Sequence, residues 1–505
     1  MRIFRYMMRD DSACFGDGRV DSETRASSIL KLSVVRVLAA VTLTALLTVS
    51  GLCMADSSAA GRSGDFIKVG LRYGTADRAA TVESPDGFVL YDVRGETVTA
   101  GKNLNNYTKL NLVLSSGKVI LQDINGQYIS DIKTDGSQII ASASYISDNG
   151  YFAFEGKKYR GGIMPYINAS GQMNIIDLID IEDYVKGVVS AEIGSKTHME
   201  ALKAQAVTTR SFAGAKGGTH ASQGFDVCST THCQVYSGVS AEYDTTNAAV
   251  DATAGQMIYY DGKPVTAFYF ANSGGYTENS EDVWVSPLGY LRSIKDEFSP
   301  EYNWEVRLTG AQLTSALASK GIGKVTGVSI DSRNPSGYVS SFTVSGTNGS
   351  VTVTKDPIRS VFKSAASLKS RMFNISTVGG QVIGNNNNAV TASEYYYAYN
   401  DSGVSKLDNS VSVISNYEST RISLNGMSIL GSEGIKKAVS GGAAAAPISG
   451  GTTVKLNGDN DVLIISGKGY GHGVGMSQQG AQVMGQQGYS YIDILKYYYT
   501  GIDVR

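Results

Sequence analysis

From Phe66 to about Tyr166 the chain runs through short stretches in which apolar and polar residues alternate. They read "FIKVGLRYG", "FVLYDV", "KLNLVLSSG", "VILQDING" and "YFAFEGKKYRGGI", separated by Gly and Asn turns. A period of two with β-branched and aromatic residues commits each stretch to a strand with one face on a core. This part of the chain therefore folds as short strands joined by tight turns. Further on the period changes. In "KTHMEALKAQAVTTRSFAGA" the apolar Met199, Leu202, Ala206 and Ala213 fall at helical spacing. Thr197 and Glu200 match a capping box, which predicts a helix start near His198. A block of strands followed by helices is the pattern of an α+β chain.

The segment "AAVDATAGQMIYYDGKPVTAFYFANSGGYTENSEDVW" predicts a helix, a hairpin at Asp261-Gly262 and a long loop. Between Gly379 and Thr453 the composition shifts, opening on "GGQVIGNNNN" and closing on "SGGAAAAPISGG", with strand-like "SVSVISNYESTRISLNG" inside. Flexible punctuation at both ends marks a small β-containing insertion. The chain returns with "DVLIISGKGYGHGVGMSQQGAQVMG", a strand, a Gly-rich loop and a helix. The expected organisation is 1–55 as a leader, 56–177 as a β-rich region, 178–378 and 454–505 as one split domain, and 379–453 as the insertion.

The leader carries the compartment. A charge-free run from Val37 to Met54 follows Lys31 and Arg36, and Cys53-Met54-Ala55 supplies small residues where a signal peptidase reads. The run reaches the lower edge of a bilayer span, so cleavage after Ala55 and retention as an anchor both remain open. Either way the protein is exported. Cleavage would leave Cys228 and Cys233 as the mature chain's cysteines. A formal charge of −2, from 44 basic and 46 acidic side chains, argues against nucleic acid as a partner. The 30 tyrosines and 58 glycines suit carbohydrate contact and equally suit any β-rich secreted protein.

Chemistry-bearing residues gather in four places. "HASQGFDVCSTTHCQVYSG" holds His220, Cys228, His232 and Cys233. A disulfide here would close a very short loop for little entropic gain. A Cys2His2 set suits tetrahedral zinc, and four protein ligands leave no open position, so such a site would be structural. Zinc, a disulfide and free thiols stand as the three alternatives. Glu192 follows "GVVSA" in a small, apolar setting that raises a carboxyl pKa by desolvation, as a general acid requires. The plainer reading is an acid favoured by a helix N-terminus. In "GKGYGHGVGMSQQGA" glycines let the backbone approach another group closely around His472, which reads as a turn histidine or a substrate contact. The loop lacks the Lys-Ser/Thr ending of a phosphate-binding loop. In "ANSGGYTENSEDVW", Ser273, Thr277 and Glu278 offer hydrogen bonds, and Trp284 suits either a sugar platform or a core.

Taken in order, "DIEDYVKGVVSAE", "EALKAQAVTTRSFA", "THCQVYSG", "FANSGGYTENSEDVW", "YLRSI" and the terminal "GKGYGHGVGMSQQGA" resemble the stage II sporulation protein D family, which includes the amidase-enhancer (LytB-like) proteins. The resemblance covers Leu178 to the C-terminus apart from the insertion. It implies a β-rich N-terminal domain followed by a SpoIID-type catalytic domain with helices around strands, in a peptidoglycan-directed protein. Sporulation members are lytic transglycosylases on glycan strands stripped of stem peptides, and the motif glutamate, here Glu192, is their catalytic acid. Some members hold structural zinc, and the matching ligands are His220, Cys228, His232 and Cys233. Arg210, Gln234, Tyr236, Ser273, His472 and Gln478 stand in the matched motifs as candidate substrate contacts. The implied partners are glycan strands and a cell-wall amidase or other sporulation wall protein. The chain departs from the family at Glu192-Ile193-Gly194, where Glu-Met-Pro is usual. It departs again at Thr197-His198, where an aromatic residue followed by Pro is common.

Overall fold

The computed structural model describes residues 62–147, 150–215, 219–383 and 451–505, with the backbone of short strands between 389 and 437. The leader and residues 384–388 and 438–450 of the 379–453 segment lie outside the described residues. The expected strands of the first half form two sheets. One runs, in spatial order, through Arg62–Ser63, Thr97–Leu104, Phe88–Arg94, Gln138–Ser142, Gly162–Ile167, Met173–Asp180, Phe66–Arg72 and Val227–Cys228. The other has six strands and carries Val82, Leu110, Leu112 and Leu121 into a core shared with Ile67, Val69, Ile140 and Ile175 of the first. Met173–Asp180 is buried at seven of its positions because it pairs on both sides, with Gly162–Ile167 and with Phe66–Arg72.

The last strand of the larger sheet positions the candidate metal cluster. Val227 and Cys228 pair in parallel with Val69 and Gly70, so backbone hydrogen bonds hang the start of the CSTTHC segment on the edge of the sheet. Gly70 is required there. A Cβ at that position would meet the Phe225 ring at 2.6 Å, well inside van der Waals contact.

Helix α1 spans Ile181–Ile193, opening on Asp180, whose carboxylate accepts the Glu182 N–H at 2.9 Å. Helix α2 spans Met199–Ala215 and is buried almost all round. Leu202, Ala206, Phe212 and Ala213 face the sheets. Ala201, Ala204 and Val207 instead pack on a second core with Met484 of α6 (Gln478–Gln486) and Ile494, Leu495 and Tyr498 of α7 (Tyr491–Tyr498). The alanines let helices approach on both sides. Between α2 and α6 come α3 (Asp244–Asp251), the short α4 (Ser280–Val283) and α5 (Gly310–Ala316). The expected capping box at Thr197 does not form. Helix α2 begins one residue later than that pattern needs, so the Thr197 hydroxyl donates to Ile193 O at 2.7 Å and Glu200 pairs with Lys203 at 2.7 Å.

A third core belongs to the strands from Asn303 onward, with Val462–Lys468 pairing on both sides, against Asn303–Thr309 and Phe373–Val378. The Gly-rich loop follows this strand directly. Strands Ser410–Ile414 and Ser419–Ser423 within 379–453 pair as a hairpin, where strand-like sequence was expected. The loop at 271–279 is bound to this third core through Glu278. Its carboxylate takes Arg371 Nη2 at 2.6 Å and Asn334 Nδ2 at 2.9 Å, plus the Ser336 hydroxyl, and neither charged side chain reaches solvent. Removing one partner of a buried pair strands the other charge. Arg371→Met is therefore expected to cost about 3–5 kcal/mol of stability, read as a lowered urea midpoint.

Candidate active site and metal clamp

Helix α1 ends where the chemistry begins. Tyr184, Val188 and Glu192 succeed one another at intervals of four and share a face. Gly194 ends the helix at φ 84°, with its N–H returning to Ser190 O at 2.9 Å. That positive φ suits glycine. Glu192 thus stands in the last turn, where the helix dipole opposes negative charge. The reading of Glu192 as a dipole-favoured N-terminal acid does not hold.

The carboxyl of Glu192 is half-buried, and its Oε1 accepts the Val235 N–H at 2.6 Å. Burial raises its pKa above the ordinary carboxylate range, against the opposing pull of the Val235 amide and the Tyr269 hydroxyl, which hydrogen-bonds it. Gln478 reaches the same helix end, its Nε2 donating to Glu192 O at 3.2 Å and to Gln205 Oε1 at 3.3 Å. Gln234 is fully buried beside them and donates to the Tyr269 hydroxyl at 3.1 Å. Of the six candidate substrate contacts, Gln234 and Gln478 are therefore drawn to Glu192.

The other four are engaged elsewhere. Arg210 is fully buried, its guanidinium forked onto Glu182 at 2.7 and 2.6 Å and onto Gln256 O at 3.0 Å. The Tyr236 hydroxyl donates to buried Asp177 at 3.0 Å, and its ring lies where a Cβ on Gly187 would stand, 2.5 Å away. Ser273 is buried and accepts the Gly275 N–H at 3.1 Å. His472 packs among Trp284, Phe270 and Phe268, with ring centroids 5.2, 5.5 and 6.3 Å away. Its Nδ1 accepts the Val474 N–H at 3.0 Å, and the ring also bonds the Tyr269 backbone. Trp284 is itself half-buried against Phe268.

His220, Cys228, His232 and Cys233 converge so that one ligand atom from each lies within 4.8 Å of the others, and neither cysteine is disulfide-bonded. Cys233 Sγ stands 3.4 Å from His220 Nε2 and 3.5 Å from His232 Nδ1, and Cys228 Sγ stands 3.8 Å from His232 Nδ1. Phe225 stacks on the His220 ring at 4.6 Å, and Thr230 Oγ1 lies 3.2 Å from Cys228 Sγ. One residue, Gln234, separates the last donor, Cys233, from Val235, whose amide holds Glu192.

The stage II sporulation protein (SpoIID) family model matches residues 169–260, the stretch that carries Glu192 and the four His/Cys donors. The chain carries a SpoIID-family domain over these residues. It is 30% identical over 414 residues to a Bacillus subtilis (strain 168) protein named amidase enhancer, across 81% of this chain and 53% of that protein. It is 27% identical over 347 residues to stage II sporulation protein D of Bacillus amyloliquefaciens, across 65% of this chain and 75% of that one. The B. subtilis stage II sporulation protein D is also 27% identical, over 352 residues. The chain thus spans about half of the amidase enhancer and three quarters of the sporulation proteins. Residues 280–389 match a domain of unknown function, DUF8618. Among the described residues, no helix is long and apolar enough to cross a membrane.

Sequence reading missed Tyr269 and Val235. Tyr269 sits in "AFYF", where an aromatic looks like any core residue, and Val235 acts through its backbone, which residue type does not encode.

Burial, followed by the Arg359 charge, holds the His472 pKa down to about 4, against 6.5 for a free side chain. In that window the unfolded chain binds a proton that the folded chain refuses, so stability falls as pH drops from 6.5 towards 4. His472→Gln is expected to flatten this part of a melting-temperature profile against pH.

Proposed function

We propose that the protein is exported and acts on the bacterial cell wall in sporulation or wall remodelling. In this reading it is a lytic transglycosylase, cutting the bond between N-acetylmuramic acid and N-acetylglucosamine and leaving a 1,6-anhydro end. The observation that carries this is the state of Glu192. It is a half-buried carboxyl with its pKa raised, with the Val235 amide and the Tyr269 phenol beside it, and no second carboxyl is among the groups that act on it. An inverting hydrolase needs a second carboxylate to activate water, whereas an internal attack by the sugar's own hydroxyl does not.

The residues set the order of events. The Val235 N–H occupies Oε1, which leaves the acid proton on Oε2. That proton passes to the bridging oxygen as the bond from muramoyl C1 to that oxygen breaks. The carboxylate so formed takes the proton of the muramoyl 6-hydroxyl as that oxygen bonds to C1, closing the anhydro ring. The attack is intramolecular, so it carries the proximity advantage of a tethered nucleophile.

In the same reading His220, Cys228, His232 and Cys233 hold a structural zinc ion. Zn–S and Zn–N bonds of about 2.3 and 2.0 Å at tetrahedral angles would span S···N edges of about 3.5 Å. The three S···N separations, 3.4, 3.5 and 3.8 Å, fit. Bound metal would supply rigidity to the segment that carries Val235, and the four donors leave it no position for substrate.

A second reading is supported by the similarity to a protein named amidase enhancer. In it the protein stimulates or recruits a wall amidase and cuts no glycan.

With denuded glycan strands, the protein is expected to release 1,6-anhydromuramoyl products, and Glu192→Gln to reduce them at least about 10²-fold without changing the fold by circular dichroism. Reducing muramic acid ends would instead indicate hydrolysis. Amidase stimulation that survives Glu192→Gln, with no glycan product from either protein, would favour the enhancer. Metal analysis should find one zinc per chain. Cys228→Ser should lose it, lower the melting temperature, and reduce activity through the fold.

A further inference from the structure

Tyr184 and Gln234 take no part in proton transfer to the glycan, yet both are fully buried in a row of hydrogen bonds that ends at the Tyr269 hydroxyl, beside the acid. The Tyr184 hydroxyl donates to Gln234 Oε1 at 2.9 Å, and Gln234 Nε2 donates to the Tyr269 hydroxyl oxygen at 3.1 Å. The Tyr269 hydroxyl meets the Glu192 carboxyl. A phenol has a single hydrogen to give. The Tyr184 hydrogen fixes the amide oxygen of Gln234, so the amide nitrogen must face Tyr269. With the Tyr269 oxygen accepting from that nitrogen, its own hydrogen is left for Glu192.

From this geometry we propose that Tyr269 is a positioning residue for Glu192. Its hydroxyl, oriented by the Tyr184–Gln234 row, holds the carboxylate during the interval between giving up the glycan's proton and taking the next one. The proposal rests on the transglycosylase reading and adds to it a residue that contributes no proton of its own.

Three elements bear on the carboxyl. Helix α1 brings Tyr184, the segment after the metal clamp brings the Val235 amide, and strand Tyr269–Phe270 brings the phenol. Burial, that amide and that phenol are the influences on Glu192, and no charged side chain is among them. Loss of the phenol therefore removes one of its two hydrogen-bond donors. The strand itself is held independently, by its parallel pairing with Met476–Ser477, so a phenylalanine at 269 keeps its backbone anchor.

The test compares the full chain with Tyr269→Phe and Tyr184→Phe on denuded glycan across pH. A carboxylate that loses a donor holds its proton more tightly. The acid step needs the protonated form, so the high-pH limb of kcat/KM is expected to move to higher pH in Tyr269→Phe. The loss of a hydrogen bond to a charged group should lower kcat on the order of 10-fold, with KM within about 2-fold. Tyr184→Phe should move both in the same direction by less. A second readout needs no activity. The Glu192 carboxyl is titrated by NMR in protein with carbon-13-labelled glutamate, its signal assigned by its loss in Glu192→Gln. It should titrate about one pH unit higher in Tyr269→Phe. An unchanged limb and rate, or an unchanged carboxyl titration, overturns the role of Tyr269. A shifted titration with no glycan product from the unaltered protein leaves the Tyr269–Glu192 coupling standing and sinks the transglycosylase reading instead.

Discussion

The hydrogen bond from the Val235 amide to Glu192, 2.6 Å long, joins two parts of the chain that would otherwise be independent. One is the end of a packed helix. The other is a loop with little apolar surface of its own, so its shape must come from tethers. Several are present: the parallel pairing of Val227 and Cys228 with the sheet edge, the convergence of four His and Cys donors, and Tyr236 seated against Gly187 of α1. Val235 lies in the short stretch between those anchors, after Cys233 and before Tyr236. A backbone amide cannot be replaced by a side-chain rotamer, so the orientation of the acid depends on how well that short segment is held.

The same economy runs through the second half of the protein. The 271–279 loop and the Gly-rich loop pass between two cores, where irregular backbone needs partners for its polar groups. Glu278 supplies them. Its carboxylate takes Arg371, Asn334 and Ser336 from the third core, while its own N–H donates to Gly473 O at 2.7 Å. His472, kept neutral by burial, bonds the backbone of Tyr269. The glycine loop thus acts on the site indirectly, by holding the strand that carries the Tyr269 phenol. Arg210 has a comparable part, since its buried pairing with Glu182 ties α2 to the first turn of α1.

Much of this was legible beforehand. Period-two patterning in "KLNLVLSSG" becomes strand Lys109–Ser115 with alternate residues buried, and the Asp261-Gly262 turn separates two paired strands. The four His and Cys donors were recognisable because such residues seldom cluster within so short a stretch without a shared task. The capping box was misleading. The same four letters occur wherever Thr and Glu happen to lie three apart, and here Glu200 was already committed to Lys203 and the Tyr491 amide. Arg210 looked like a substrate contact because a charged residue in a motif invites that reading. Nothing local reveals that Glu182, on another helix, neutralises it.

By itself the sequence determined the order of strands and helices and the set of soft donors, and it singled out Glu192 as a candidate acid, because each depends on residue type at short spacing. Tertiary structure alone decided where along its helix the acid stands, which amide holds it, and which phenol meets it. Those relations join residues 192, 235 and 269, far apart in the chain. They exist only once the sheet edge, α1 and the Tyr269–Phe270 strand have been packed together.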